Sequence, residues 1–242
     1  MKNIKSILSS LINLLKKKYY LSLQSLAKPG TAKWLIGTEM KYGGMITNVP
    51  RNKVSPHDPR TKTQLKQGGM VGGDRMYHHC YAKDYARYLL PFINSTKTVT
   101  LAEFGILKGS GLAIWCDLFK KGAILGFDID LDHFRKNLKY LKQLGAFKYN
   151  QPHIYELDQF VNNIKYLGQI LKNRKLDICI DDGFHADQTI LKTLKNTMPY
   201  LSDDFVYFIE DNQSVHKKIS MIYPNLKVDS QGWLTILSRK TF

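Results

Sequence analysis

The chain has 242 residues, 43% of them hydrophobic, enough to bury a core and too apolar to stay disordered. Its formal charge of +16 comes mostly from scattered lysines with no arginine-rich block, which favours a solvated basic surface over a dedicated RNA- or DNA-binding face. No uncharged apolar run reaches the roughly 18 residues of a membrane span, and three cysteines without C-x-x-C spacing argue against a disulfide framework or a zinc site, so a reducing cytoplasm is the expected compartment.

In chain order, residues 1–30 read as a basic amphipathic helix. Ile4, Ile7, Leu8, Leu11, Ile12 and Leu15 recur at helical spacing, and Pro29-Gly30 ends the pattern. Such a helix could lie on a membrane surface or pack on a partner, and packing on the same chain or on a sister subunit is the favoured role, which makes a homo-oligomer an open expectation. Residues 37–75 are rich in Gly, Pro, Asn, Thr and Lys and read as a long functional loop, with 38–73 as a lid or pocket wall. Residues 76–93 read as helical. The chain thus divides into an N-terminal extension, 1–75, and a main domain, 76–242.

From Val99 onward strands and helices alternate. Strands are expected at 99–104, 123–128, 152–157, 176–181, 205–209 and 233–237. Helices are expected from Leu112, around Leu131–Leu141, over Phe160–Leu171 and over Ile190–Leu201. Such alternation implies an α/β fold with a Rossmann-like, doubly wound, mostly parallel sheet, whose ligands bind outside the carboxyl ends of the strands.

The first strand runs into Glu103-Phe-Gly105-Ile-Leu-Lys-Gly109-Ser110-Gly111, a glycine turn before a helix N-terminus. The spacing G-x-x-x-G-x-G does not match the dinucleotide pattern G-x-G-x-x-G, and Glu103 would repel a pyrophosphate. Glu103 is instead suited to the amino group of a methionine moiety. Asp128, closing the second strand, can accept from ribose hydroxyls, and Asp158, with Gln159 beside it, from an adenine amino group. Together these point to S-adenosylmethionine.

The fourth strand ends Ile180-Asp181-Asp182-Gly-Phe-His185 and the fifth Phe208-Ile-Glu210-Asp211. Neighbouring parallel strands would bring Asp182, Glu210 and Asp211 together, and convergent carboxylates call for a hard cation such as Mg²⁺ or Mn²⁺. His185 is a candidate general base.

These residues resemble the Mg²⁺-dependent sugar O-methyltransferases of macrolide biosynthesis, the mycinamicin type, and their bacterial and phage relatives. The likeness spans about residues 73–240 and rests on the E-x-G-x-x-x-G-[GS] loop, Gly126-Phe-Asp128, Asp158-Gln159, Asp181-Asp-Gly-Phe-His185, Met198-Pro-Tyr-Leu201 and Ile209-Glu-Asp211. Upstream, Asp74-Arg75, His79-Cys-Tyr81 and Tyr85 fit the same pattern. The resemblance implies a class I methyltransferase. Glu103, Gly105, Gly109, Ser110, Asp128, Asp158, Gln159 and Asp181 would hold the cofactor, Asp182, Glu210 and Asp211 the metal, and His185 would act as base. A sugar-like hydroxyl is the implied acceptor. Phe184 departs from the small polar residue usual there, which leaves the acceptor open. Two alternatives stand beside this reading: a nucleic-acid methyltransferase, and a non-catalytic binding protein on the same fold.

Overall fold

The structure, a computed structural model, describes residues 2–44, 53, 55–66 and 74–240. Four strands are apolar along most of their length and buried on both faces, as parallel strands between helical layers must be. They are β1 (Thr100–Phe104), β2 (Ala123–Asp128), β4 (Leu176–Asp181) and β5 (Leu201–Ile209). With β3 (His153–Glu156), β6 (Leu226–Gln231) and β7 (Leu234–Arg239) they form one sheet of order β3-β2-β1-β4-β5-β7-β6. β7 runs antiparallel to both of its neighbours, and the other pairings are parallel.

Alternate residues serve opposite layers. Leu101, Val206 and Phe208 join one core, with residues from α2 (Ala32–Tyr42), α4 (Ala82–Ile93), α5 (Ser110–Leu118) and α6 (Asp132–Gln143). Ala102, Tyr207 and Ile209 join the other, with α7 (Ile164–Leu171), α8 (Asp187–Thr197) and α9 (Val215–Ile222). α1 (Lys2–Leu26) packs along α2, and α3 (Lys62–Lys66) is a single short turn of helix. No helix among the described residues is long and apolar enough to cross a membrane.

Strand order reverses between β1 and β4, the place where α/β sheets open a crevice. The hydrogen-bond ladder runs one residue past these strands. Gly105 N–H donates to the Phe127 carbonyl (2.8 Å), Asp182 N–H to Phe104 (2.8 Å) and Glu210 N–H to Asp181 (3.0 Å). Three functional segments are thereby brought level at one sheet edge.

Several expectations need correction. The stretch 37–75 is not one loop, because α2 runs through Tyr42. That helix is buried on several sides and so shows no clean polar face to read. Of the expected lid, residues 45–52, 54 and 67–73 lie outside the described residues, as does the side chain of Ile4. Met198 and Leu201 do not continue α8. Pro199 withdraws a backbone donor, a 3₁₀ turn follows, and Leu201 opens β5. Phe160 and Val161 precede α7 because Asp158 Oδ1 accepts the Phe160 N–H (2.8 Å), a local turn that competes with helix. Residues 76–81 are turns, and α9 and β6 were not anticipated.

Candidate active site

A cavity of about 680 Å³ opens at the carboxyl ends of β1, β2 and β4, a size typical of small-molecule sites. Its wall includes Glu103, Gly105, Ser110, Asp128, Asp158, Gln159, Asp182, His185 and Asp211, nine of the twelve residues expected from sequence. The other three, Gly109, Asp181 and Glu210, stand behind the wall.

The β1 and β2 side is shaped by backbone. Gly105 has φ +88°, and a Cβ there would sit 2.1 Å from the Asp182 carbonyl oxygen. Gly109 has φ +79°, and a Cβ would meet the Phe134 ring at 2.4 Å, so its glycine serves helix–loop packing. Asp128 Oδ2 accepts the Leu107 N–H at 2.8 Å, and Oδ1 accepts the Asp130 N–H at 3.2 Å. Burial raises the Asp128 pKa against the pull of those donors. Glu103 is buried, which raises its pKa, while Arg75 pulls it down.

Asp158 Oδ2 lies 3.2 Å from His57 Nε2, and the His57 ring stacks on Phe160 with centroids 4.0 Å apart. The segment 55–60 therefore reaches over the cofactor side of the cavity. Gln159 spends its amide inside the protein. Its Nε2 donates to Asp181 Oδ1 (2.8 Å) and Thr193 Oγ1 (3.0 Å), and its Oε1 accepts the Phe184 N–H (3.0 Å). Asp181 is correspondingly an anchor for Gln159, its pKa pushed up to about 6 by burial.

On the β4 and β5 side, Asp182, His185 and Asp211 present one ligand atom each, all within 4.8 Å of one another. His185 (φ +61°) and Asp211 (φ +57°) both hold left-handed backbone conformations, uncommon away from glycine and concentrated at functional sites. Burial lowers the His185 pKa against the Asp211 charge. His185 Nδ1 lies 3.2 Å from the Glu210 carbonyl oxygen. A carbonyl only accepts, so Nδ1 carries the proton and Nε2 keeps its lone pair toward Asp182. Tyr81 donates to Asp211 Oδ1 at 2.9 Å, and His79 Nδ1 lies 3.9 Å from the same oxygen.

Glu210 turns away from that trio. Its Oε1 accepts from Tyr85 Oη and lies 2.6 Å from Arg75 Nε. Arg75 also donates from Nη2 to Glu103 Oε1 and Asp182 Oδ2, both at 2.8 Å. Burial alone would weaken its charge, but Glu210 and Glu103 overrule it and hold the guanidinium cationic. Sequence reading gave Arg75 no role and did not notice Glu39, whose two carboxylate oxygens accept the Met76 and Tyr77 N–H groups (2.8 and 3.0 Å). One signal was present: Arg75 is one of only seven arginines in a lysine-rich chain.

The residues present fit the groups expected of them. Glu103, Asp128 and Asp158, three carboxylates on the wall of a cavity of small-molecule size, suit a donor such as S-adenosylmethionine with its amino group, ribose hydroxyls and adenine amine. The carboxylates of Asp182 and Asp211 are hard oxygen donors that suit Mg²⁺ or Mn²⁺, with the His185 imidazole beside them.

No protein-family model matches the chain. A curated relative, the 8-demethyl-8-alpha-L-rhamnosyl tetracenomycin-C 2'-O-methyltransferase of Streptomyces olivaceus, is 25% identical over 151 residues, covering 59% of this chain and 36% of that protein. The chain therefore spans little more than a third of that relative's length. Among solved structures, the MycE methyltransferase of the Mycinamycin biosynthetic pathway, in complex with Mg and SAH, aligns with TM-score 0.51 at 19% identity, over 67% of this chain and 50% of that one. A second MycE complex, with Mg, SAH and Mycinamycin VI, aligns with TM-score 0.50 at 18% identity over the same shares. The chain has the Rossmann-like fold of the class I S-adenosylmethionine-dependent methyltransferases and, over part of its length, resembles the rhamnosyl tetracenomycin-C 2'-O-methyltransferase and MycE.

Proposed function

We propose that the chain transfers the methyl group of S-adenosylmethionine to a hydroxyl of a sugar-like small molecule, beside a divalent metal. The carrying observation is the placement of the Asp182 and Asp211 carboxylates, with the His185 imidazole beside them, on the wall of the same cavity that Glu103, Gly105 and Asp128 shape. The curated relative's rhamnosyl acceptor and the Mg in both MycE complexes support the acceptor class and the metal.

Glu103 would receive the donor's amino group, Asp128 its ribose hydroxyls and Asp158 its adenine. Asp182 and Asp211 would hold Mg²⁺ or Mn²⁺, with Glu210 as a further ligand once it leaves Arg75. When bound, the cation would lower the acceptor hydroxyl's pKa and fix its direction. His185 Nε2 takes the hydroxyl proton. The oxygen forms its bond to the methyl carbon as the sulfur–methyl bond breaks, which leaves S-adenosylhomocysteine. Orientation and local electrostatics supply most of the rate gain.

The test uses labelled S-adenosylmethionine, a panel of rhamnosides and macrolide glycosides, and RNA and DNA as competing acceptors. Label is expected in a glycoside and lost with EDTA. Transfer that EDTA leaves intact removes the metal from the proposal, and label appearing only in nucleic acid replaces the acceptor class. His185→Ala is expected to lower turnover about 10²–10⁴-fold with Mn²⁺ affinity kept. Loss of Mn²⁺ binding in that variant would instead make His185 a ligand.

A further inference from the structure

α1 turns its apolar face away from the body of the protein. Its inner side is marked by residues four apart. Lys16 Nζ lies 5.9 Å over the Tyr77 ring, Tyr20 meets that ring edge-on at 5.3 Å, and Gln24 Nε2 donates to Thr38 Oγ1 at 3.2 Å. At the helical repeat, Ile7, Leu8, Leu11 and Leu15 fall on the side away from it, with Tyr19 at the flank. They are 65%, 55%, 51%, 58% and 58% exposed, with no apolar cover among the described residues. An amphipathic helix ordinarily turns this stripe toward its own core, so the stripe is free for something else.

Charge selects the occupant. Residues 1–38 contain seven lysines and no acid, Glu39 being the first. Pairing two copies of α1 in parallel would set Lys17 and Lys18 near their own kind, with no carboxylate on the helix to answer them. An anionic bilayer surface answers both features, with acyl chains for the leucines and phosphates for the lysines. Since no described helix can cross a bilayer, the helix would lie along it.

We propose that α1 is a membrane-surface anchor that seats its Ile7, Leu8, Leu11 and Leu15 face in the interface of anionic phospholipid bilayers, with Lys17 and Lys18 among the headgroup phosphates. Lys18 shares the apolar sector and reaches the phosphates by extending its stem along it. The inference stands independently of the reaction proposed above.

The test is co-sedimentation of the full chain with vesicles of equal parts phosphatidylglycerol and phosphatidylcholine, and with phosphatidylcholine alone. Binding is expected on the anionic vesicles, and to weaken sharply at ~0.5 M salt. The double variant Leu11→Gln, Leu15→Gln should bind at least ~10-fold more weakly, with an unchanged melting temperature because both side chains are already exposed. A second variant, Lys17→Gln with Lys18→Gln, should lose the preference for anionic lipid. Equal binding to neutral vesicles, or wild-type binding by the leucine variant, overturns the proposal. So does light scattering that finds a dimer which the leucine variant splits while vesicles bind nothing; that result gives the face to a second copy of the chain.

Discussion

At the ends of β1 and β2, Gly105 and Asp128 are set by backbone contacts, whereas at the ends of β4 and β5, Asp182 and Glu210 are set by one side chain, which also reaches Glu103. Asp128 leans on the Leu107 and Asp130 N–H groups, and Gly105 touches the Asp182 carbonyl with no room for another carbon. Across the cavity, Asp182 and Glu210 share the guanidinium of Arg75, and Glu103 completes the ring around it. Backbone donors are fixed by the fold and supply no net charge. A guanidinium supplies a full charge that a divalent ion could replace. The donor side is therefore rigid by construction, while the acid side is balanced by a residue able to give way.

Removing that balance should have the largest effect on the protein itself. Arg75→Met leaves two buried acids, Glu103 and Glu210, and the partly buried Asp182 without their cation, a change of the kind that costs about 3–5 kcal/mol. Chemical denaturation in the presence of EDTA should show the loss. Mn²⁺ should then restore stability in the variant by more than it adds to the wild type, since it takes the charge role that Arg75 held. If the variant is no less stable, or gains no more from Mn²⁺ than the wild type, the guanidinium is not the counter-charge of this side.

On the other side the break is made by adding an atom. Gly105→Ala places a methyl against the Asp182 carbonyl at a φ of +88°. Overpacking and the left-handed backbone together cost about 2–4 kcal/mol, and S-adenosylmethionine binding measured by calorimetry should be lost. Gly232→Ala is the control. Gly232 has φ +63° with nothing within 4 Å of a new Cβ, so only the backbone cost of about 1 kcal/mol applies. Equal losses at the two glycines would show that the close approach at Gly105 does not matter.

The same contrast explains what could be read from the sequence. The donor side is written locally: strand, Glu103, glycines and helix follow one another, and Asp128 closes the next apolar run, so period and spacing reveal them. Asp182 and Asp211 were visible because parallel order places consecutive strand ends side by side. Which carboxylate faces which neighbour is not local. Glu210 turns to Arg75 and Tyr85, residues more than 120 positions earlier, and no pattern near Glu210 announces it. α2 was hidden for a related reason. With Trp34, Leu35, Met40 and Tyr42 all buried, it lacks the polar face by which a helix declares its period. β6 sits at the sheet edge with Lys227 and Asp229 along it, which protects the edge and dilutes the apolar signal.

Arg75 itself is held in place by a residue that draws on both modes. Glu39, from α2, is a buried carboxylate that accepts two backbone N–H groups from the turn carrying Arg75. Burial pushes its pKa up to about 7, against the Met76 and Tyr77 donors and Arg75, with Asp74 adding to the rise. The folded pKa thus exceeds the unfolded value of about 4.5. The folded state binds more protons between those two values, so the contribution is fully favourable below about 4.5 and is lost as pH rises through about 7. The span corresponds to about 3 kcal/mol. Burial also raises Asp181 and Glu210, giving them the same sign, so the measurement is the difference in urea stability between wild type and Glu39→Gln across ~pH 4.5–8. At the acid end the variant should be the weaker, because its amide sets an NH₂ against one of the two N–H donors. That deficit should shrink by up to about 3 kcal/mol as the wild type ionises. A deficit that stays constant with pH would mean that Glu39 keeps its charge throughout, and that the turn under Arg75 is clamped by a carboxylate as unperturbed as one in solvent.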